Sequence, residues 1–381
     1  MRGARVGTFM RVEQMSWIEG GRWTRPPVAL RADLVLAFGG TAAMADPKHA
    51  MELRRAYPGA LVIGCSTAGE IQATHLGDDG FVTTAVQFEQ TPVRAATVDL
   101  AKGDDSTGAG RRLAAALPAP GLVHVLVLSD GHAVNGSDLA RGLQDALGRG
   151  VAVTGGLAGD GTRFAHTFVL ADAEPREGRV AAIGFYGDRI RIGYGSLGGW
   201  DPFGPQRIIT RAKGNVLYEL DGQPALGLYK KYLGEHAGGL PATGLLFPLA
   251  VRTDGGSELT RTLLGIDESA QSLVFAGDVP QGATARLMKA NFDRLVDGAQ
   301  GAAEGASLRE PADLAILISC VGRKLVLKQR VQEELEAVQA VLGPQAVMAG
   351  FYSYGEICPS APDASCELHN QTMTVTTFRE A

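Results

Sequence analysis

Cysteine is scarce in this chain: Cys65, Cys320, Cys358 and Cys366 are the only four in 381 residues. So few thiols make no disulfide framework, and reduced cysteines in a cytoplasmic protein are expected. An excess of positive charge is also missing. Thirty-six Lys and Arg stand against 41 Asp and Glu, a net charge of -5, which excludes a basic face for nucleic acid or an anionic membrane. Long apolar runs are absent too: "LVHVLVL" and "LAILISCV" are strand-length, far short of a membrane span. The opening "MRGARVGTFMRVEQMSW" has no apolar stretch of signal-peptide length.

Several motifs are absent or incomplete. Neither CxxC nor HExxH occurs, and Cys358, Cys366 and His369 lack a fourth ligand, so structural zinc is not expected. "TGGLAGDG" (154–161) lacks the Lys-Ser/Thr ending of a phosphate-cradling loop. "GYGSLG" (193–198) has dinucleotide-type glycine spacing, but Gly199-Trp200-Asp201-Pro202 cannot open the helix that pyrophosphate binding requires. No short-period repeat marks a solenoid.

What remains is a globular composition, 45 % apolar and 20 % charged, with 51 glycines concentrated at strand ends. The length suits two domains. Strand-like runs at 32–40, 60–66, 121–131 and 313–323 alternate with helical stretches at about 106–117, 135–150, 286–300 and 323–343. The pattern predicts an α/β fold of mixed sheets with packed helices. The breaker-rich "GSLGGWDPFGPQ" (195–206) places the boundary, giving domains 1–205 and 206–381.

Two similar turns carry a carboxylate, Glu70 in "VIGCSTAGEIQ" and Glu356 in "AGFYSYGEICP". Each carboxylate either accepts backbone N–H groups from a neighbouring loop or points into a pocket shared with the other. "GCSTA" (64–68) approaches a nucleophile elbow, so Ser66 or Cys65 would serve a hydrolase if His75 or His132 lay beside it. Arg323, after a buried strand, is expected to pair with Glu356 or an acidic ligand.

The stretches "GCSTAGEI" (64–71), "GGLAGDG" (155–161), "NVLYELDGQPALGLYKKYLG" (215–234), "CVGR" (320–323), "GFYSYGEI" (350–357) and "LHNQT" (368–372) resemble the hallmarks of FIST sensory proteins, from about residue 30 to the end. The resemblance implies a ligand-binding input module of bacterial signal transduction, built of FIST N- and C-terminal domains, and not an enzyme. Its motif stretches supply the candidate ligand-binding residues Cys65, Ser66, Thr67, Glu70, Gly156, Asp160, Arg323, Tyr352, Tyr354 and Glu356. The ending "CELHNQTMTVTTF" is similar to that of nitric-oxide-sensing haemoproteins of the family. That likeness implies haem b, and a separate histidine kinase or cyclic-di-GMP enzyme as partner, for a chain carrying no such segment itself. His369 is the iron ligand expected, on a strand face shared with Gln371, Met373 and Val375; the alternative is a hydrogen bond to the Glu356 turn. His124, His132 and His236 are the other histidines considered as ligands. A small polar ligand such as an amino acid, without haem, is the other sensor reading.

Overall fold

A computed structural model describes residues 10–18, 22–24, 30–101, 103–172, 174–253, 256, 258–362 and 364–381. Residues 1–9, part of the stretch read for a signal peptide, lie outside them. No helix among the described residues is long and apolar enough to cross a membrane.

One structural plan occurs three times. The first unit has β1 (Arg11–Ile18), β2 (Arg22–Trp23), β3 (Leu34–Gly39), α1 (Thr41–Ala45), α2 (Pro47–Ala56), β4 (Leu61–Ser66), the hairpin β5 (Glu70–Gln72) and β6 (His75–Gly77), and β7 (Phe81–Gln87). The second has β8 (Val93–Asp99), α3 (Ser106–Ala116), β9 (Leu122–Ser129), α4 (Gly136–Leu147), β10 (Ala152–Leu157), the hairpin β11 (Val169–Ala171) and β12 (Glu174–Arg176), and β13 (Arg179–Tyr186). The third opens with β14 (Ile190–Leu197) and is then interrupted by an insertion.

The insertion holds β15 (Asp201–Pro202), β16 (Arg207–Lys213), β17 (Val216–Leu220), β18 (Gln223–Pro224), α5 (Ala225–Leu233), β19 (Leu249–Arg252), β20 (Glu258–Arg261), β21 (Leu263–Asp267), β22 (Ser272–Phe275) and β23 (Thr284–Lys289). The third unit resumes with α6 (Phe292–Gly305), β24 (Leu314–Cys320), α7 (Val321–Leu327), α8 (Val331–Leu342), β25 (Val347–Ser353), the hairpin β26 (Gly355–Pro359) and β27 (Cys366–His369), and β28 (Met373–Glu380).

The three sheets run β12-β11-β4-β3-β7-β1-β2, β27-β26-β10-β9-β13-β8 and β6-β5-β25-β24-β28-β14. In each, one parallel pair (β3/β4, β9/β10, β24/β25) sits at the centre and every other pairing is antiparallel. In each, too, the hairpin comes from another unit. The first unit lends its hairpin to the third sheet, the second to the first, and the third to the second. Two of the three sheets therefore combine strands from both sides of residue 205.

Strand alternation explains the core. Leu34, Leu36 and Phe38 of β3, Leu126 and Leu128 of β9, and Leu314, Ile316 and Ile318 of β24 meet in one central cluster shared by all three sheets. The intervening residues face outward under helices: Val35 and Ala37 beneath α2, Val125 and Val127 beneath α3 and α4, Ala315 and Leu317 beneath α6 and α8. The strands are buried on both faces, which is why they read as unbroken apolar runs. The insertion has a core of its own, from Ile209 to Leu287.

The parallel strands approach so closely that a Cβ at Gly64, Gly155 or Gly350 would lie 1.9, 1.9 or 1.8 Å from the carbonyl oxygen of Ala37, Val127 or Leu317. Two expected helices are corrected. The single helix over 323–343 is broken where Lys328 adopts a left-handed φ of 52°, separating α7 from α8. The helix near 286–300 starts later, because β23 runs through Lys289 and Asn291 caps α6 by accepting from Arg294 N.

Candidate functional site

The carboxyl ends of the three parallel pairs converge, and the turns that follow them touch in a ring. Gly159 N donates to Ser66 O at 3.0 Å, Tyr354 N to Leu157 O at 3.1 Å, and Ala68 N to Tyr352 O at 2.8 Å. Each turn carries a carboxylate, so Asp160 is the third member of the set that Glu70 and Glu356 begin.

Glu70 accepts from Thr67 Oγ1 at 2.5 Å and Gly80 N at 2.9 Å. Glu356 accepts from Ser353 Oγ at 2.6 Å, Thr372 Oγ1 at 2.9 Å and Thr372 N at 3.2 Å. Asp160 gathers Phe164, Ala165 and His166 N at 2.7–2.9 Å, and the Tyr354 hydroxyl. Burial pushes Glu70 up to about 7 and Glu356 to about 8, against the pull of those donors. Burial acts the same way on Asp160, but Tyr354 and three backbone amides outweigh it and hold the carboxyl below its usual range.

The ring thus gathers Ser66, Thr67, Glu70, Asp160, Tyr352, Tyr354 and Glu356, but not around an open cleft. Glu70 is 1 % and Glu356 0 % exposed, and protein donors occupy their oxygens. Of the two readings of these carboxylates, the local acceptor describes the geometry. Gly156 pairs with Glu356 across β10 and β26, where a Cβ would meet Ile318 Cγ2 at 2.7 Å. Cys65 faces the central core, and burial pushes its thiol well up. Ser66 Oγ accepts from Phe168 N at 2.9 Å.

Arg323 pairs elsewhere than expected. Its fully buried guanidinium binds Glu334 Oε2 through Nε at 3.0 Å and Nη2 at 2.8 Å, and donates to the carbonyls of Gly198 and Leu295 at 2.5 and 2.6 Å. The reason is the break at Lys328, which folds α8 back so that Glu334 reaches Arg323. His369 pairs with Glu356 in the β26–β27 register, yet its ring bonds the Cys358 carbonyl at 2.8 Å, not the Glu356 side chain. Nε2 therefore carries a proton, and burial, the leading cause, lowers the imidazole to about 4.

An open groove lies elsewhere, where the second unit meets the insertion. It measures about 290 Å³ and is walled by Ser137 and Arg141 of α4, Leu368 of β27, Arg261 of β20, and Asp278 and Glu367. Arg261 is 4 % exposed and spans the junction, with Nε on Asp278 O at 2.8 Å and Nη1 on Leu368 O at 2.9 Å. Burial lowers its guanidinium to about 10 against the nearby charges of Asp278 and Glu367. Asp278 Oδ1 and Ser137 Oγ are buried without a partner. Sequence reasoning missed this site because its walls come from separated stretches. The one signal was "CELH", read for its cysteine and histidine as metal ligands and not as a groove wall.

Known proteins place the chain. The FIST N domain matches residues 33–223 and the FIST C domain residues 225–359. An uncharacterized protein of Methanocaldococcus jannaschii is 27 % identical over 216 residues, 52 % of this chain and 41 % of that protein. An uncharacterized protein of Mycobacterium bovis is 28 % identical over 240 residues, 60 % of this chain and 61 % of that one. The chain spans less than two thirds of the length of these curated relatives. Among solved structures, a cyanuric acid hydrolase from A. caulinodans aligns over 98 % of this chain and 99 % of its own at 8 % identity and a TM-score of 0.35, too loose a likeness to bear on function. With its two domain matches running from residue 33 to residue 359, the chain belongs to the FIST family, whose domains are sensors in signal transduction.

Proposed function

We propose that this FIST protein senses a small polar ligand held in the groove between the second unit and the insertion, and binds it without turning it over. The carrying observation is the groove itself, where a buried arginine faces an unpaired carboxylate oxygen and an unpaired hydroxyl. Binding sites favour such junctions between separately cored parts. An amino acid is the class implied by the family resemblance. Arg261 would meet its carboxylate, and Asp278 Oδ1 with Ser137 Oγ would meet its ammonium. The output partner, a separate histidine kinase or cyclic-di-GMP enzyme, rests on that resemblance alone. A Ser66 already engaged by Phe168 N and a Cys65 held as a neutral thiol weigh against a hydrolase.

Haem with nitric oxide as the signal fits these residues poorly. His369 spends its Nε2 proton on a backbone carbonyl, and its ring is not part of the groove wall. Iron ligation through Nε2 would have to break that bond.

The test is thermal denaturation with pools of amino acids and of other small polar metabolites, beside an absorption spectrum after expression with a haem precursor. A rise in melting temperature that Asp278→Asn diminishes supports the groove. A wild type that no pool stabilises refutes it, and a Soret band lost in His369→Ala would restore the haem reading.

A further inference from the structure

The β19–β20 hairpin has two chemically different faces. Val251, Leu259 and Arg261 look into the groove, whereas Arg252 and Glu258 look the other way, as strand alternation requires. That second face is the floor of a separate depression of about 150 Å³, also bounded by Gln206, Thr284 and Arg286. Arg252 is opposite both Glu258 and Thr284 in register, and Ala250 is opposite Arg286.

Most polar groups here are satisfied. Arg252 Nη2 donates to Glu258 Oε2 at 3.3 Å, and Thr284 Oγ1 donates to Arg252 O at 3.2 Å. Arg286 is the exception. Among the described residues no hydrogen bond or ion pair reaches its guanidinium, and its Nε is buried without a partner. A buried N–H needs an acceptor, and a guanidinium offers its donors as a planar fork matched to two oxygens of one anion. Arg252 and Arg286 against Glu258 leave one positive charge in excess on the walls.

We propose that this face is a second binding site, for a small oxyanion group, carboxylate or phosphate. Arg286 presents the fork, Arg252 supplies the second positive charge, and the Gln206 amide completes the rim. The site is separate from the groove but shares its hairpin. An anion on one face thus orders the strands that carry Arg261 on the other, and the influence is reciprocal.

The test is thermal denaturation and titration of the full chain with sodium phosphate, sodium acetate and sodium chloride at matched ionic strength, for wild type and Arg286→Met. Phosphate or acetate should stabilise the wild type beyond chloride, and Arg286→Met should weaken that binding about tenfold or more, the loss of a charge-assisted contact. Whichever anion succeeds identifies the source as phosphoryl or carboxylate. Equal responses in the two proteins, or no anion exceeding chloride, would overturn the proposal. If Arg286→Met does not fold, Arg286→Lys keeps the charge without the fork. Full retention of the response in that variant would overturn it as well.

Discussion

Removing Arg323 probes the most consequential ion pair in the third unit. Its guanidinium and the Glu334 carboxylate are both 0 % exposed. Glu334 also accepts from Tyr352 Oη at 2.5 Å and Ser319 Oγ at 3.2 Å, so the pair ties β24, β25, α7 and α8 together. Arg323→Ala leaves an unpaired carboxylate and frees the carbonyls of Gly198 and Leu295, and breaking a buried pair costs about 3–5 kcal/mol. At roughly 2 °C per kcal/mol for a domain of this size, the melting temperature should fall by about 6–10 °C. Glu334→Leu should cost a similar amount, by stranding the cation. The double variant Arg323→Met/Glu334→Leu removes both charges and should cost clearly less than the sum of the two, a coupling of about 2 kcal/mol or more. Denaturant titration of all four proteins measures the cycle. Additive losses, or a single variant within about 1 kcal/mol of wild type, would refute the reasoning.

Stability should also depend on pH with opposing terms. Glu356 and Glu70 titrate near 8 and 7 when folded, above the unfolded 4.5, so what they contribute is present at low pH and lost as pH rises through those values. His369 and His124 titrate near 4 and 3, below the unfolded 6.5, and contribute the reverse slope only beneath 6.5. Between pH 6.5 and 8 the carboxyl groups act alone: the wild-type melting temperature should fall across that window and Glu356→Gln should flatten the fall. An unchanged slope in the variant would show that Glu356 is ionised when folded. A third expectation concerns close approach. Gly64→Ala and Gly350→Ala should each abolish soluble expression or sharply lower the melting temperature, while Gly150→Ala, with open space at its Cβ, should not; near-normal melting of the first two would mean the strands can part.

Much of the fold was legible because local chemistry agreed with it. Asp46-Pro47 and Asn135 announce the starts of α2 and α4, and β9 and β24 read as buried strands from their unbroken apolar runs. The threefold plan was not. Its marker was visible twice, in the Gly-Glu-Ile turns, but the third copy carries Asp160 for glutamate and is one residue shorter from its strand glycine. Nor can hairpin lending be read from patterning, since β5 has the same alternation whichever sheet receives it. The ring carboxylates were found as residues, but the choice between local acceptor and shared pocket stayed open, because burial and pairing depend on strands far away in the chain. Arg323 shows the same limit: both members of its pair lie in one stretch, yet only the turn at Lys328 brings them together.

The cyclic lending of hairpins sets an order of events during synthesis. The second unit can complete the first sheet as soon as β11 emerges, since β4 is already made. The first unit's own hairpin waits for β25, and the second sheet waits for β26, both beyond residue 345. Until then β10 presents an open edge, a template for pairing with a neighbouring nascent chain. A ribosome-bound fragment ending before β25 would hold one of the three sheets finished and two unfinished, so residues 347–380 close the second and third sheets like a clasp. Slow elongation through residues 347–380 would lengthen the exposure of that edge, and chaperone cover of it would reduce the risk.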